Sequence, residues 1–159
     1  MKASQKCTDL IKKFEGCRLT AYRCPAGVWT IGYGHTTGVK AGDVISQAQA
    51  EEYLMQDIKR YESHVNGYDD NYHWTQNEYD ALVSFAFNIG NITGLTAAGT
   101  RSKQTIADKI LLYTRANGVT LPGLMKRRHA EHNLFVESGQ EPAPRKKKVV
   151  KKPKNADVK

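Results

Sequence analysis

The feature that most restricts the fold of this chain is a helical segment that is apolar on nearly every side. It reads EYDALVSFAFNIG, over residues 78–90. Thr75 precedes it, and Glu78 stands three residues later, which predicts a capping box in which each side chain bonds the other's backbone amide. Other elements surround a helix of this kind, so we predict a buried central helix.

Four further segments have helical patterns. Apolar residues spaced three and four apart form one stripe over residues 4–14, and Gly16 follows where helices commonly end. Ser46 and Gln49 predict a second capping box, at the start of a helix that reaches about Asn66 and is long enough to connect two lobes. Helical patterns follow at 102–116 and at 121–136, the last with Pro122 in its first turn.

Residues 18–37 have a different character. A turn is predicted at Pro25-Ala26-Gly27, and further glycines punctuate the segment. Residues 28–33 between them are rich in β-branched and aromatic side chains. We predict a small antiparallel hairpin or a three-stranded sheet.

The positive charge of the chain is concentrated at its end. Of the net +8, residues 137–159 contribute +5, from eight Lys or Arg against three acidic residues. With three prolines and almost no bulky apolar residue, we expect this Lys-rich segment to be a disordered tail. It either has no function, binds nucleic acid through its charge, or contacts anionic envelope material. It lacks the interleaved aromatic residues of a base-binding module, so we expect no nucleic-acid partner.

Composition also bears on the compartment and on cofactors. At 159 residues the chain fits one domain, and no apolar run approaches the length of a membrane span. The first 16 residues lack the hydrophobic region of a signal peptide, so we expect a chain that is first kept in the cytoplasm. Its three cysteines predict reduced thiols, and their spacing does not resemble a metal site. We expect no metal and no cofactor.

Three residues of one short stretch carry the candidate chemistry. Eight residues separate Glu15 from Cys24, and five separate Cys24 from Thr30. Glycosidic hydrolysis needs a proton donor and a group that steers water or attacks the sugar. The end of the first helix favours a protonated Glu15, because the helix dipole disfavours an anion there. The alternative is structural: a surface Glu, a half-buried Cys and a strand Thr.

The same stretch resembles the phage-type lysozymes, an endolysin family also called glycoside hydrolase family 24. Their signature is Glu, eight residues, Asp or Cys, five residues and Thr, which this sequence matches at Glu15, Cys24 and Thr30. The resemblance continues through ALVSFAFNIGN at 81–91 and LPGLMKRRHAEHNLF at 121–135, and covers roughly residues 5–136. Cys is the less common form of the signature.

The resemblance implies cleavage of the bond between N-acetylmuramic acid and N-acetylglucosamine in peptidoglycan, with inversion at the anomeric carbon. Glu15 would protonate the leaving oxygen, and Cys24 and Thr30 would place the attacking water. His35 would brace the hairpin through an ion pair or a hydrogen bond. Arg127 and Arg128 would reach the Glu15 carboxylate.

Three further residues have two interpretations each. Asn88 either contacts substrate or caps its helix. Trp29 and Trp74 either stack on sugars or pack in the core, with Trp29 nearer the cleft because it lies on the hairpin.

Together these observations predict an α+β, lysozyme-like fold. A small hairpin lobe, about 16–45, and a helical lobe, about 67–136, would be joined by the long helix and form one catalytic domain over residues 1–136. The expected protein is a monomeric endolysin that acts on peptidoglycan after the host membrane opens. The alternatives are an inactive peptidoglycan-binding protein, a virion-associated lysozyme and a basic nucleic-acid-associated protein.

Overall fold

The computed structural model describes residues 1–137, and these form an α+β fold that is mostly helical. The elements follow in the order α1 (Gln5–Glu15), β1 (Arg18–Arg23), β2 (Trp29–Gly32), α2 (Gln47–Asn66), α3 (Asp69–Tyr72), α4 (Gln76–Ile89), α5 (Thr93–Thr96), α6 (Lys103–Ile110), β3 (Arg115–Ala116), β4 (Val119–Thr120) and α7 (Pro122–Val136). The predicted tail at 137–159 lies, apart from its first residue, outside the described residues.

Helix α4 is the buried helix that the sequence predicts. Every residue from Asn77 to Ala86 is buried, and the helix contacts α1, α2 and α7. Its capping box is complete: the Thr75 hydroxyl accepts from the Glu78 amide at 3.1 Å, and the Glu78 carboxylate accepts from the Thr75 amide at 2.8 Å. Beside it, Trp74 is fully buried, so of its two interpretations the structure supports packing in the core. The apolar faces of the other helices close around α4 because only there can they leave water.

Strands β1 and β2 form the predicted hairpin, which packs on α2. Tyr22 pairs with Thr30, and Arg23 pairs with Trp29. The segment after the hairpin adds a bridge between Thr20 and Val44, so three stretches of chain lie side by side. Since α2 contacts both β2 and α4, it connects the hairpin to the helical part. The division into two lobes stays a prediction.

Two local predictions were wrong in part. The helix predicted over 102–116 ends at Ile110, and a second hairpin follows it. Asn117 and Gly118 form its turn with φ angles of 50° and 76°. An Asn-Gly pair favours this tight hairpin turn, which overrides the helical pattern. At the start of α2, the Ser46 hydroxyl accepts from the Gln49 amide at 3.1 Å, but no return bond from the Gln49 side chain completes the predicted box among the bonds of residues 1–137.

Candidate active site

Glu15 is the last residue of α1, and its side chain enters a cavity of about 210 Å³. Gly16 ends the helix with a positive φ of 65°, which glycine adopts without strain. The residues that line the cavity come from α1, the turn after β2, α2 and α4: Glu15, Gly34, Thr36, Asp57, Arg60, Tyr61, Phe87 and Asn88. The lining brings Glu15 and Asn88 together, two residues that lie far apart in the sequence.

Gly34 lets the backbone approach the Glu15 carboxylate closely. Its φ is +84°, and a Cβ at this position would lie 3.4 Å from Oε2 of Glu15. A side chain would be strained by the backbone conformation, and its Cβ would be in van der Waals contact with the carboxylate. Gly34 therefore keeps one face of the carboxyl group open to the cavity.

Arg127 holds the other oxygen of Glu15. Its Nη1 donates to Oε1 at 2.6 Å, and its Nη2 donates to the Ser84 carbonyl oxygen at 3.0 Å. The Arg127 side chain is 4% exposed and that of Glu15 is 23% exposed, so the pair is largely shielded from water. Arg127 therefore fixes the position of the Glu15 carboxyl group at the wall of the cavity.

A buried carboxylate lies behind this pair. Glu131 is fully buried, with Oε1 at 3.0 Å from Nε of Arg128 and Oε2 at 3.6 Å from Nε of Arg127. Burial raises the pKa of Glu131, against the opposing effect of the two guanidinium groups, and burial lowers the pKa of Arg128. The Arg128 Nη2 donates to the Asn88 Oδ1 at 2.5 Å. Of the two arginines expected at Glu15, Arg127 makes the contact, and Arg128 holds Asn88 instead.

Cys24 and Thr30 lie together on the hairpin, outside the lining of that cavity. The Thr30 hydroxyl donates to the Val28 carbonyl oxygen at 2.9 Å, and Thr30 is only 3% exposed. The pKa of the Cys24 thiol is lowered, mainly by a hydrogen bond from the Val28 backbone and further by the Ala26 backbone. The hairpin therefore favours the thiolate of Cys24 more than free solvent does.

Trp29 and His35 also belong to the hairpin region. The Arg23 guanidinium lies over the Trp29 ring, 5.1 Å from its centroid, and Trp29 does not line the cavity. His35 Nδ1 lies 2.8 Å from Asp57 Oδ2, and its Nε2 lies 3.0 Å from the Thr37 carbonyl oxygen. The His35 ring also stacks on Tyr53, with centroids 4.1 Å apart. His35 thus ties the turn after β2 to helix α2.

Comparison with known proteins decides the family. The model of the family described as phage lysozyme matches residues 12–131. The chain belongs to the phage lysozyme family. It is therefore a glycoside hydrolase of the lysozyme type, as its sequence resemblance indicates.

Individual relatives of this phage lysozyme agree with the family match. It is 43% identical, over 85% of its length and 98% of the relative, to the endolysin of Acyrthosiphon pisum secondary endosymbiont phage 1. It is 46% identical to the endolysin of Lactococcus phage c2, over 85% of this chain but only 60% of that longer relative. The muramidase domain of SpmX from Asticaccaulis excentricus has a similar structure, with a TM-score of 0.74 and 34% identity over 86% of this chain and 99% of that domain. The lysozyme-like fold is thereby confirmed.

Several residues of this phage lysozyme site were missed from the sequence. Asp57 and Arg60 stand three residues apart on α2, a spacing that places both on one face, but nothing marked that face as part of a cavity. Glu131 follows Arg127 and Arg128 at helical spacing, which could have suggested an ion pair. No group of three or more His, Cys, Asp or Glu that could hold a metal occurs within residues 1–137.

Proposed function

We propose that this phage lysozyme is an endolysin that hydrolyses the β-1,4 bond between N-acetylmuramic acid and N-acetylglucosamine in bacterial peptidoglycan, and so lyses the host at the end of a phage cycle. The observation that carries the proposal is the Glu15 carboxyl group, which enters a polar cavity while Arg127 holds one of its oxygens. Family membership supplies the reaction class, and Glu15 supplies the acid that this reaction requires.

Glu15 is the general acid of the proposed mechanism. It gives its proton to the oxygen of the leaving sugar and becomes a carboxylate. The Nη1 of Arg127, 2.6 Å from Oε1, stabilises the negative charge that develops in this step. Gly34 leaves room beside the second oxygen, Oε2, from which the proton can reach the substrate.

Cys24 and Thr30 orient the attacking water in the same proposal. The Thr30 hydroxyl is fixed by its bond to the Val28 carbonyl, and the lowered pKa of Cys24 increases the thiolate fraction that can accept a proton from water. A water that attacks from the face opposite the leaving oxygen inverts the anomeric carbon. Asn88, which lines the cavity, and Trp29, which lies outside its lining, are proposed to contact sugar. Arg128 supports Asn88 through their hydrogen bond, and His35 supports the turn after β2 through Asp57.

The cellular setting is part of the proposal. The enzyme would accumulate in the cytoplasm of the infected bacterium as a monomer and reach the wall once the inner membrane is opened. Among residues 1–137, no helix has the length and apolar character needed to cross a membrane. The basic segment at 137–159 would raise the enzyme concentration at anionic envelope material through its net charge of +5.

A direct test replaces the acid without changing its size. Glu15→Gln should lower the rate of hydrolysis of purified peptidoglycan by roughly 10²- to 10⁴-fold, because the amide cannot donate the required proton. Glu52→Gln is the matched control, since Glu52 is exposed on α2 and does not line the cavity. Undiminished hydrolysis by Glu15→Gln would remove Glu15 from the acid role. If the unmodified chain binds peptidoglycan without hydrolysing it, an inactive binding protein is favoured. If the chain is found in purified virions, a virion-associated lysozyme is favoured.

A further inference from the structure

The cavity that holds Glu15 also contains a cation whose role the proposed reaction leaves open. Arg60 lines it from helix α2, three residues after Asp57. Its guanidinium lies 5.5 Å from the centroid of the Tyr61 ring, which also lines the cavity. A cation–π contact of this kind holds a guanidinium near the ring and does not use its N–H donors.

The two carboxylates of the cavity already have partners. Glu15 is bound by Arg127 at 2.6 Å, and Asp57 is bound by His35 at 2.8 Å. Within residues 1–137, Arg60 has no ion pair and no hydrogen bond, and its guanidinium contacts the Tyr61 ring. The cavity therefore presents an unpaired guanidinium beside the group that would act on the glycosidic oxygen.

We infer that Arg60 is a specificity-determining residue that binds a free carboxylate on the stem peptide of peptidoglycan. The inference rests on the proposed function, because it takes peptidoglycan as the substrate. The stem peptide branches from the muramic acid, the sugar on one side of the bond to be cleaved. A peptide carboxylate is thus brought close to the cavity whenever that bond lies at Glu15. The guanidinium fork matches a carboxylate in two parallel hydrogen bonds.

The size of the effect follows from exposure. Arg60 is exposed, so its pairing with a carboxylate is screened by water and is weaker than a buried pair. We expect Arg60→Gln to raise KM for carboxylate-bearing peptidoglycan fragments by roughly three- to tenfold. The value of kcat should change by less than about twofold, because Arg60 binds a part of the substrate that does not react.

The experiment compares two forms of one substrate. Soluble peptidoglycan fragments are used either as isolated or after their free carboxylates have been converted to amides with carbodiimide and ammonia. The increase in KM for Arg60→Gln should appear with the first form and vanish with the second. For the unmodified enzyme, KM should be higher with the amidated form than with the first form, by the same factor.

Matched variants separate this contact from general electrostatics and from folding. Lys59→Gln removes one positive charge from the adjacent, exposed position, which does not line the cavity, and should change KM little with either form. Arg60→Lys should give an intermediate KM, because Lys keeps the charge but lacks the fork.

Two results would overturn the inference. One is an unchanged KM for Arg60→Gln with unmodified fragments. The other is a loss that persists with amidated fragments, which would mean that Arg60 contacts sugar. If the unmodified enzyme cleaves neither form, the proposed function itself fails, and that outcome is distinct from both.

Discussion

The buried charge cluster behind Glu15 predicts a specific cost for removing its central carboxylate. Glu131 is fully buried between Arg127 and Arg128, with closest contacts of 3.6 and 3.0 Å. Glu131→Gln keeps the size of the side chain but leaves two buried guanidinium groups with one fewer negative charge. Arg127 retains Glu15 as a partner, whereas the remaining partners of Arg128 within residues 1–137, Asn88 and the Phe85 ring, are both neutral.

The magnitude follows from this difference between the two arginines. Breaking a buried ion pair from one side costs about 3–5 kcal/mol, because the remaining charge stays out of water without compensation. The Gln oxygen keeps a partial negative charge beside Nε of Arg128, so we expect the lower end, about 3 kcal/mol. For a domain of this size, that loss lowers Tm by roughly 10 °C.

Thermal and urea unfolding, followed by near-ultraviolet circular dichroism, measure this loss. Glu52→Gln removes a carboxylate from an exposed position, and its free energy of unfolding should stay within about 0.5 kcal/mol of that of the unmodified protein. Combining Glu131→Gln with Arg128→Met should cost less than the sum of the two single changes, because the buried charge that Glu131→Gln leaves uncompensated is then absent. A free energy of unfolding for Glu131→Gln within about 1 kcal/mol of the unmodified protein would show that Glu131 does not compensate the buried arginines.

Two smaller predictions concern the hairpin and the central helix. The hydrogen bond from the Val28 backbone lowers the pKa of Cys24. Alkylation of Cys24 by iodoacetamide should therefore reach half its maximal rate at a lower pH in the folded protein than in the urea-unfolded chain. The same pH dependence in both states would contradict this contact. Peptide mapping separates Cys24 from Cys17, and Cys7 should not react in the folded state because it is fully buried and burial raises its pKa. Thr75→Ala should lower the free energy of unfolding by about 1 kcal/mol through loss of the α4 cap, whereas Thr75→Ser should keep most of it, as urea midpoints would show. An unchanged midpoint for Thr75→Ala would mean that the capping box adds no stability.

The helices could be predicted from the sequence because their signals are local. A capping Thr75, a glycine after α1 and apolar spacings of three and four act within one or two helical turns, and α1, α2, α4 and α7 lie close to the predicted ranges. The region around α6 was predicted less well, because its helical pattern ran into an Asn-Gly turn. The three signature residues could be named for the same reason, since they lie within one short stretch.

The contacts that equip the cavity could not be predicted in this way. Arg127 and Arg128 are adjacent in sequence, and their directions on α7 differ by about 100°, the rotation per residue of an α-helix. Packing of α7 against α4 turns Arg127 to Glu15 and Arg128 to Asn88. No periodicity of α7 alone indicates which of the two faces α1.

The sequence by itself determined the order of the elements, the buried central helix and the identity of Glu15, Cys24 and Thr30 as the candidate reacting groups. The tertiary structure decided which charges meet: Arg127 with Glu15, Asp57 with His35, and Glu131 with both arginines of α7. Among residues 1–137, it also left Arg60 in the cavity without an ion-pair partner. The physical reason is range, because backbone propensities and caps act over a few residues, whereas ion pairs and cavities join side chains that only the packing of distant helices brings together.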